Sequence, residues 1–248
     1  MNPDPFTLPF GDPDLPQPDL LLADFEAACV PDTGVVSRSI ALAMEDSGFP
    51  VALPDILPLA GMPVRVQLAE LVAVNAGLTL EEAFEISTRI EARVSERLWR
   101  ILDRGARLRP TPGAEDAFAA LQSEGIRVGL DSMLPSELTS RILEGLGWLR
   151  SGLVDHVMCA QEVEAPRPSP DLILAATGSW GCGGPGRLAK LCGSRLDVLA
   201  AVAAGCRWVF ALDRTPGPTG GPLSEGVTFR RIGDFGNLPE HLLGWVLR

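Results

Sequence analysis

Basic charge is scarce in this chain: 21 lysines and arginines stand against 32 aspartates and glutamates, a formal net charge of -11 over 248 residues. Without a cationic surplus to neutralise phosphates, nucleic acid is excluded as the default partner. Lysine is rarer still. Lys190 is the only one, so chemistry that needs a Schiff-base amine has a single candidate. Histidine occurs twice, as His156 and His241, and the five cysteines (Cys29, Cys159, Cys182, Cys192, Cys206) are an odd number without a Cys-x-x-Cys pair. These spacings offer no zinc site and fit buried free thiols in a reducing compartment. No apolar run approaches the length of a membrane span, and the opening residues lack a signal-peptide pattern. The expectation is a cytoplasmic protein that makes no use of a membrane.

What is present is a regular alternation. Residues 1–19 hold six prolines among four aspartates and read as an extended arm. The apolar run Leu20-Leu21-Leu22-Ala23 then stops at Asp24, with Glu26 two residues on. A buried strand of this kind delivers both carboxylates to one face of its C-terminal tip. Three helical patterns follow: Val35 to Ser47, a stretch from Val64 ended by Gly77, and a long one from Thr79 to about Asp103 that opens on a Thr79/Glu82 capping box. From Arg107 strands and helices alternate. Strands are expected over Ile126–Leu130, Val154–Met158, Arg187–Cys192, Trp208–Leu212 and Val227–Ile232, with helices between them and a closing helix over Pro239–Leu247. Repeated βαβ units give a doubly wound parallel α/β sheet. The chain therefore divides into the arm (1–19), an α/β core (20–33 and 108–248) and an all-helical insertion (34–107).

Ligands of such sheets sit past the carboxyl ends of the strands. The residues there are Asp24 and Glu26, then Asp131 and Ser132, then Arg167, then Gly193, Ser194 and Asp197. Singly, acids and hydroxyls at loop starts often only cap helices, as Ser194 or Asp131 would. Together they bring several carboxylates, a hydroxyl and a guanidinium to one edge.

The strand ending at Asp24, the helical insertion, Arg109-Pro-Thr-Pro-Gly113, the strand running to Asp131-Ser132, Leu143-Glu-Gly-Leu-Gly-Trp148, Gly152-Leu-Val-Asp-His-Val157, Glu164-Ala-Pro-Arg-Pro-Ser-Pro-Asp171 and Ala203-Ala-Gly-Cys-Arg-Trp208 resemble the haloacid dehalogenase (HAD) superfamily, in its phosphonatase-like branch. The resemblance covers about residues 20–248. It implies a Rossmann-type core with a helical cap, Asp24 as the nucleophile that forms an aspartyl-phosphate, Glu26 in the acid/base place, Ser132 as a phosphoryl hydrogen-bonding group and Arg167 as the cation bridging nucleophile and phosphate. It also implies Mg²⁺. The motif that should supply its carboxylates reads Cys192-Gly193-Ser194-Arg195-Leu196-Asp197, with Gly193 where the direct ligand stands and Arg195 offering a cation in its place. Asp24 and Asp197 are the candidate metal ligands left, so no cofactor is expected. Ala27-Ala28 replaces the usual Gly and hydroxyl. Val64 stands where the branch's Schiff-base lysine would be, which disfavours phosphonoacetaldehyde cleavage.

Three readings follow. The first is a metal-independent enzyme using Asp24, Glu26 and Asp131 as acid/base groups on a small organic molecule, with at least one pKa pushed up by the crowding of carboxylates. The second is an Mg²⁺-dependent phosphatase-type hydrolase acting through Asp24, and the third an inactive member serving as a binding or scaffold protein. A small-molecule substrate held by Ser132, Arg167 and Arg195, and self-association through the helical insertion, are the expected partnerships.

Overall fold

The computed structural model describes residues 17–26, 34–103, 109–212 and 228–243. Its opening strand, β1 (Leu20–Asp24), is followed by four helices, α1 (Val35–Asp46), α2 (Leu53–Ile56), α3 (Val64–Ala76) and α4 (Leu80–Asp103). The chain then alternates through α5 (Ala114–Ser123), β2 (Arg127–Ser132), α6 (Ser136–Leu146), β3 (His156–Cys159), α7 (Asp171–Ser179), β4 (Leu188–Cys192), α8 (Arg195–Ala204), β5 (Trp208–Leu212), β6 (Thr228–Ile232) and α9 (Leu238–Leu243). The strands form a single parallel sheet in the order β3-β2-β1-β4-β5-β6. This is the doubly wound α/β architecture that the alternation predicts.

The side-chain period of two explains the layers. Leu21, Ala23 and Phe25 join Val128, Leu130, Ala189 and Leu191 in one apolar core with α5, α6 and α9, while Leu20 and Leu22 join Leu188, Cys192 and residues of α7 and α8 in another. Both faces of β1 are therefore buried, which is why its sequence is a continuous apolar run rather than an alternation. Phe25 closes the run by packing edge-on against Trp148, whose ring also meets Phe118. That aromatic anchor fixes the segment carrying the two carboxylates.

The long helix α4 opens on the expected capping box: the Thr79 N–H donates to Glu82 Oε2 at 2.9 Å. A serine at a helix start is expected to cap it, but Ser136 begins α6, and Pro135 holds the cap position with no side-chain bond. β3 starts two residues later than expected because the Asp155 carboxylate, accepting the Val128 N–H at 2.8 Å, ties the preceding segment to β2 through a side chain. The short α2 was not foreseen in a proline-broken stretch; there the Ala52 N–H donates to Asp55 Oδ2 at 3.0 Å. The ends of the expected arm (1–16), the tail of the first core segment with Cys29 and Ala27-Ala28, the end of the helical insertion, and positions 227 and 244–247 lie outside the described residues. Cys159, Cys182, Cys192 and Cys206 are buried free thiols, as their spacing suggests. Among the described residues no helix is long and apolar enough to cross a membrane.

Candidate functional site

β1, β2 and β4 end side by side, with Asp24 in register with Asp131 and Ala23 beside Leu191. On the α7/α8 face this alignment stacks Asp24, Asp131 and Lys190, and the loop before α7 swings Arg167 across them. Arg167 Nη1 donates to Asp24 Oδ2 at 2.5 Å and Nη2 to Asp131 Oδ2 at 2.6 Å. Its Nε lies 3.0 Å from Asp197 Oδ1, an ion pair that lacks the alignment of a hydrogen bond. Lys190 Nζ donates to Asp131 Oδ1 at 3.1 Å, Asp197 Oδ2 at 2.9 Å and the Leu191 carbonyl at 3.2 Å. The five side chains are 0–2% exposed. Three carboxylates and two cations thus form one buried network.

Asp131 does not cap α6; like Asp197 it lies against both cations, and it accepts a hydrogen bond from each. Burial pushes its pKa up, but the charges of Arg167 and Lys190 outweigh burial and hold it below the ordinary value. For Asp197 burial prevails over the same cations and raises it to about 7. The two cations are themselves raised, burial being outweighed by Asp131 and Asp197. Lys190 is therefore an ammonium counter-ion and not a free amine. It is also the member of the candidate site that strand-end reasoning misses. Its signal was in the sequence: a lone lysine within the apolar strand Leu188–Cys192 must be paired once buried.

Glu26 reaches the next loop. Its Oε1 accepts from the Ser132 hydroxyl and the N–H groups of Met133 (3.0 Å) and Leu134 (3.2 Å), while Oε2 accepts from Met133 alone at 3.0 Å. Ser132 also meets Thr139 Oγ1 at 2.8 Å. Burial, and then the Asp24 charge, raise the Glu26 pKa to about 7 against the Ser132, Met133 and Arg167 contributions that lower it. Of the carboxylates expected to shift upward, Glu26 does so and Asp131 goes the other way.

Above the strand ends a cavity of about 110 Å³ has Asp24 and Glu26 on its floor and α1, α2 and α3 as its walls. The walls are mostly apolar: Val36, Ile40, Ile56, Met62 and Val64 line it, with Ser37 and Gln67 as polar exceptions. Gly61, at φ +95°, lies so close to Ser194 that a Cβ there would sit 2.2 Å from its hydroxyl oxygen. The loop before α3 is thereby pressed onto the loop after β4. Ser194 does cap α8, accepting the Asp197 N–H at 3.1 Å. Arg195, expected to help hold substrate, is exposed in the first turn of α8 and, among the described residues, makes no ion pair with the cluster and does not line the cavity.

The donor set tests the implied Mg²⁺. Both oxygens of Asp131 and of Asp197 lie against Arg167 or Lys190, and Gly193 contributes only an N–H, donated to Asp197 Oδ2 at 3.2 Å. A hard divalent ion needs several oxygens converging at about 2.1 Å, and these oxygens are bound to two fixed cations. Among the described residues no His, Cys, Asp and Glu group is arranged to hold a metal. The residues do not fit the ion.

No family model matches the chain, and no curated protein does. Solved structures match its fold, which is that of HAD-like hydrolases. Similar chains include a predicted phosphoglycolate phosphatase from Haemophilus somnus 129PT (TM-score 0.70, 19% identity, 90% of this chain and 97% of that one). Another is a protein designated a haloacid dehalogenase-like hydrolase from Bacteroides fragilis (TM-score 0.70, 18% identity, 90% and 100%). A third is a phosphonoacetaldehyde hydrolase-like protein from Oleispira antarctica (TM-score 0.67, 15% identity, 82% and 75%).

Proposed function

We propose that this chain is a hydrolase-fold enzyme that works without a divalent metal, with Asp24 and Glu26 as its acid/base pair, on a small organic molecule held beneath helices α1–α4 acting as a cap. One observation carries the reading: Asp24 and Glu26 share the floor of a mostly apolar cavity, while the carboxylates that a metal would need are neutralised by Arg167 and Lys190. A group whose pKa is about 7 exchanges a proton with little driving force lost in either direction near neutral pH, which suits general acid/base work. Arg167 fixes the Asp24 carboxylate, Ser132 and the two N–H groups fix that of Glu26, and the apolar walls keep water from competing. The placement of this fold in a phosphonatase-like branch is not favoured for the chemistry: Val64 lines the cavity where a Schiff-base amine would be needed.

The test is a metabolite panel read by thermal shift, followed by assay of the stabilising compounds with a chelator present. Turnover should persist without metal and be lost in Asp24→Asn and in Glu26→Gln. Rapid Mg²⁺-dependent release of phosphate from an aryl phosphate, abolished by Asp24→Asn, would replace this reading with the phosphatase one.

A further inference from the structure

The two cations beneath the cavity floor are already paired. Arg167 and Lys190 are buried against Asp24, Asp131 and Asp197, and among the described residues no lysine, arginine or histidine lines the space. The neutral donors that would hold an anion are engaged as well: the Ser132 hydroxyl and the Met133 and Leu134 N–H groups all point to Glu26. The charged acceptor with room left is the Glu26 carboxylate, whose Oε2 takes a single hydrogen bond, from Met133. Gln67 donates one amide N–H to the Met62 carbonyl at 2.8 Å and keeps one N–H and its amide oxygen. A phosphate or carboxylate would enter a mostly apolar space against two carboxylates, of which Asp24 has a counter-charge in Arg167 and Glu26 has none in the described lining, at a cost of several kcal/mol on the order of a buried unpaired ion.

We propose that the cavity takes a short aliphatic ammonium ion, its apolar body among Ile40, Ile56, Met62 and Val64 and its charged head on Glu26. This deepens the acid/base reading and rests on its cavity. The size agrees. A cavity of about 110 Å³ holds a molecule on the order of five heavy atoms, since one of about 150 Å³ accommodates benzene.

The test is calorimetric titration of the full chain with isobutylamine, isobutanol, isobutyrate and inorganic phosphate. Isobutylammonium should bind saturably and the two anions should not; the alcohol should bind at least about tenfold more weakly, the loss of one charge-assisted hydrogen bond. Glu26→Gln should remove the preference over the alcohol. Binding of isobutyrate or phosphate equal to that of the amine, no saturable amine binding, or an alcohol bound as well as the amine overturns the proposal. Amine binding without turnover of any amine leaves the ligand class standing and defeats the acid/base reading; anion binding with Glu26-dependent turnover does the reverse.

Discussion

Glu26 and Asp131 stand one strand apart, and their environments drive them in opposite directions. Asp131 has two cations within 3.1 Å, whereas Glu26 is met by uncharged donors and by the Asp24 charge. The consequence for stability has a definite sign. A carboxyl whose folded-state pKa is about 7, against an ordinary 4.5, binds a proton more tightly in the folded chain, so stability is greatest below the ordinary value and falls as pH rises towards about 7. Asp197, raised from 3.8 to about 7, acts in the same sense, and Asp131 in the opposite sense at lower pH. Thermal denaturation should therefore show a midpoint that falls by several degrees from about pH 5 to about pH 7.5. In Glu26→Gln the fall should be shallower. A midpoint that is flat or rises over this interval in the wild type would contradict the assigned environments.

At the scale of elements, the sheet and its order of helices were legible because β1's unbroken apolar run, the Thr79/Glu82 box and the glycine stops at Gly77 and Gly205 are local signals. The convergence of Asp24, Glu26, Asp131, Ser132 and Arg167 was legible too, since a parallel sheet brings strand ends together. What was not legible is long-range pairing. Nothing in the spacing of Lys190 says that it meets Asp131, 59 residues away, nor that Ser132 serves Glu26 before any ligand. The exposed Arg195 shows the limit from the other side: a cation next to the site in sequence is not part of the buried network in space. The approach of Gly61 to Ser194 is likewise invisible before folding. Gly61→Ala should cost roughly 1–3 kcal/mol, because the residue sits in a left-handed conformation and its Cβ would collide with Ser194. It should also loosen the cavity, seen as faster amide exchange in α2 and the start of α3. An unchanged midpoint and unchanged exchange would show that this contact does not seal the cap.

For the whole molecule, an excess of acid is managed by concentrating its single lysine and one arginine where three carboxylates meet. Buried ion networks are weak sources of net stability, yet removing one member is severe, roughly 3–5 kcal/mol, because the partner charges stay behind. In that network both oxygens of Asp131 and of Asp197 lie against Arg167 or Lys190, which is the basis of the proposal that no metal is used. The claim that internal cations replace the metal is met most directly by calorimetric titration of Mg²⁺ into the wild type and into Lys190→Met. The wild type should show no saturable binding, and Lys190→Met, destabilised but with the Asp131 and Asp197 oxygens released, should be the variant that Mg²⁺ stabilises. Saturable Mg²⁺ binding to the wild type that disappears in Asp24→Asn would contradict it.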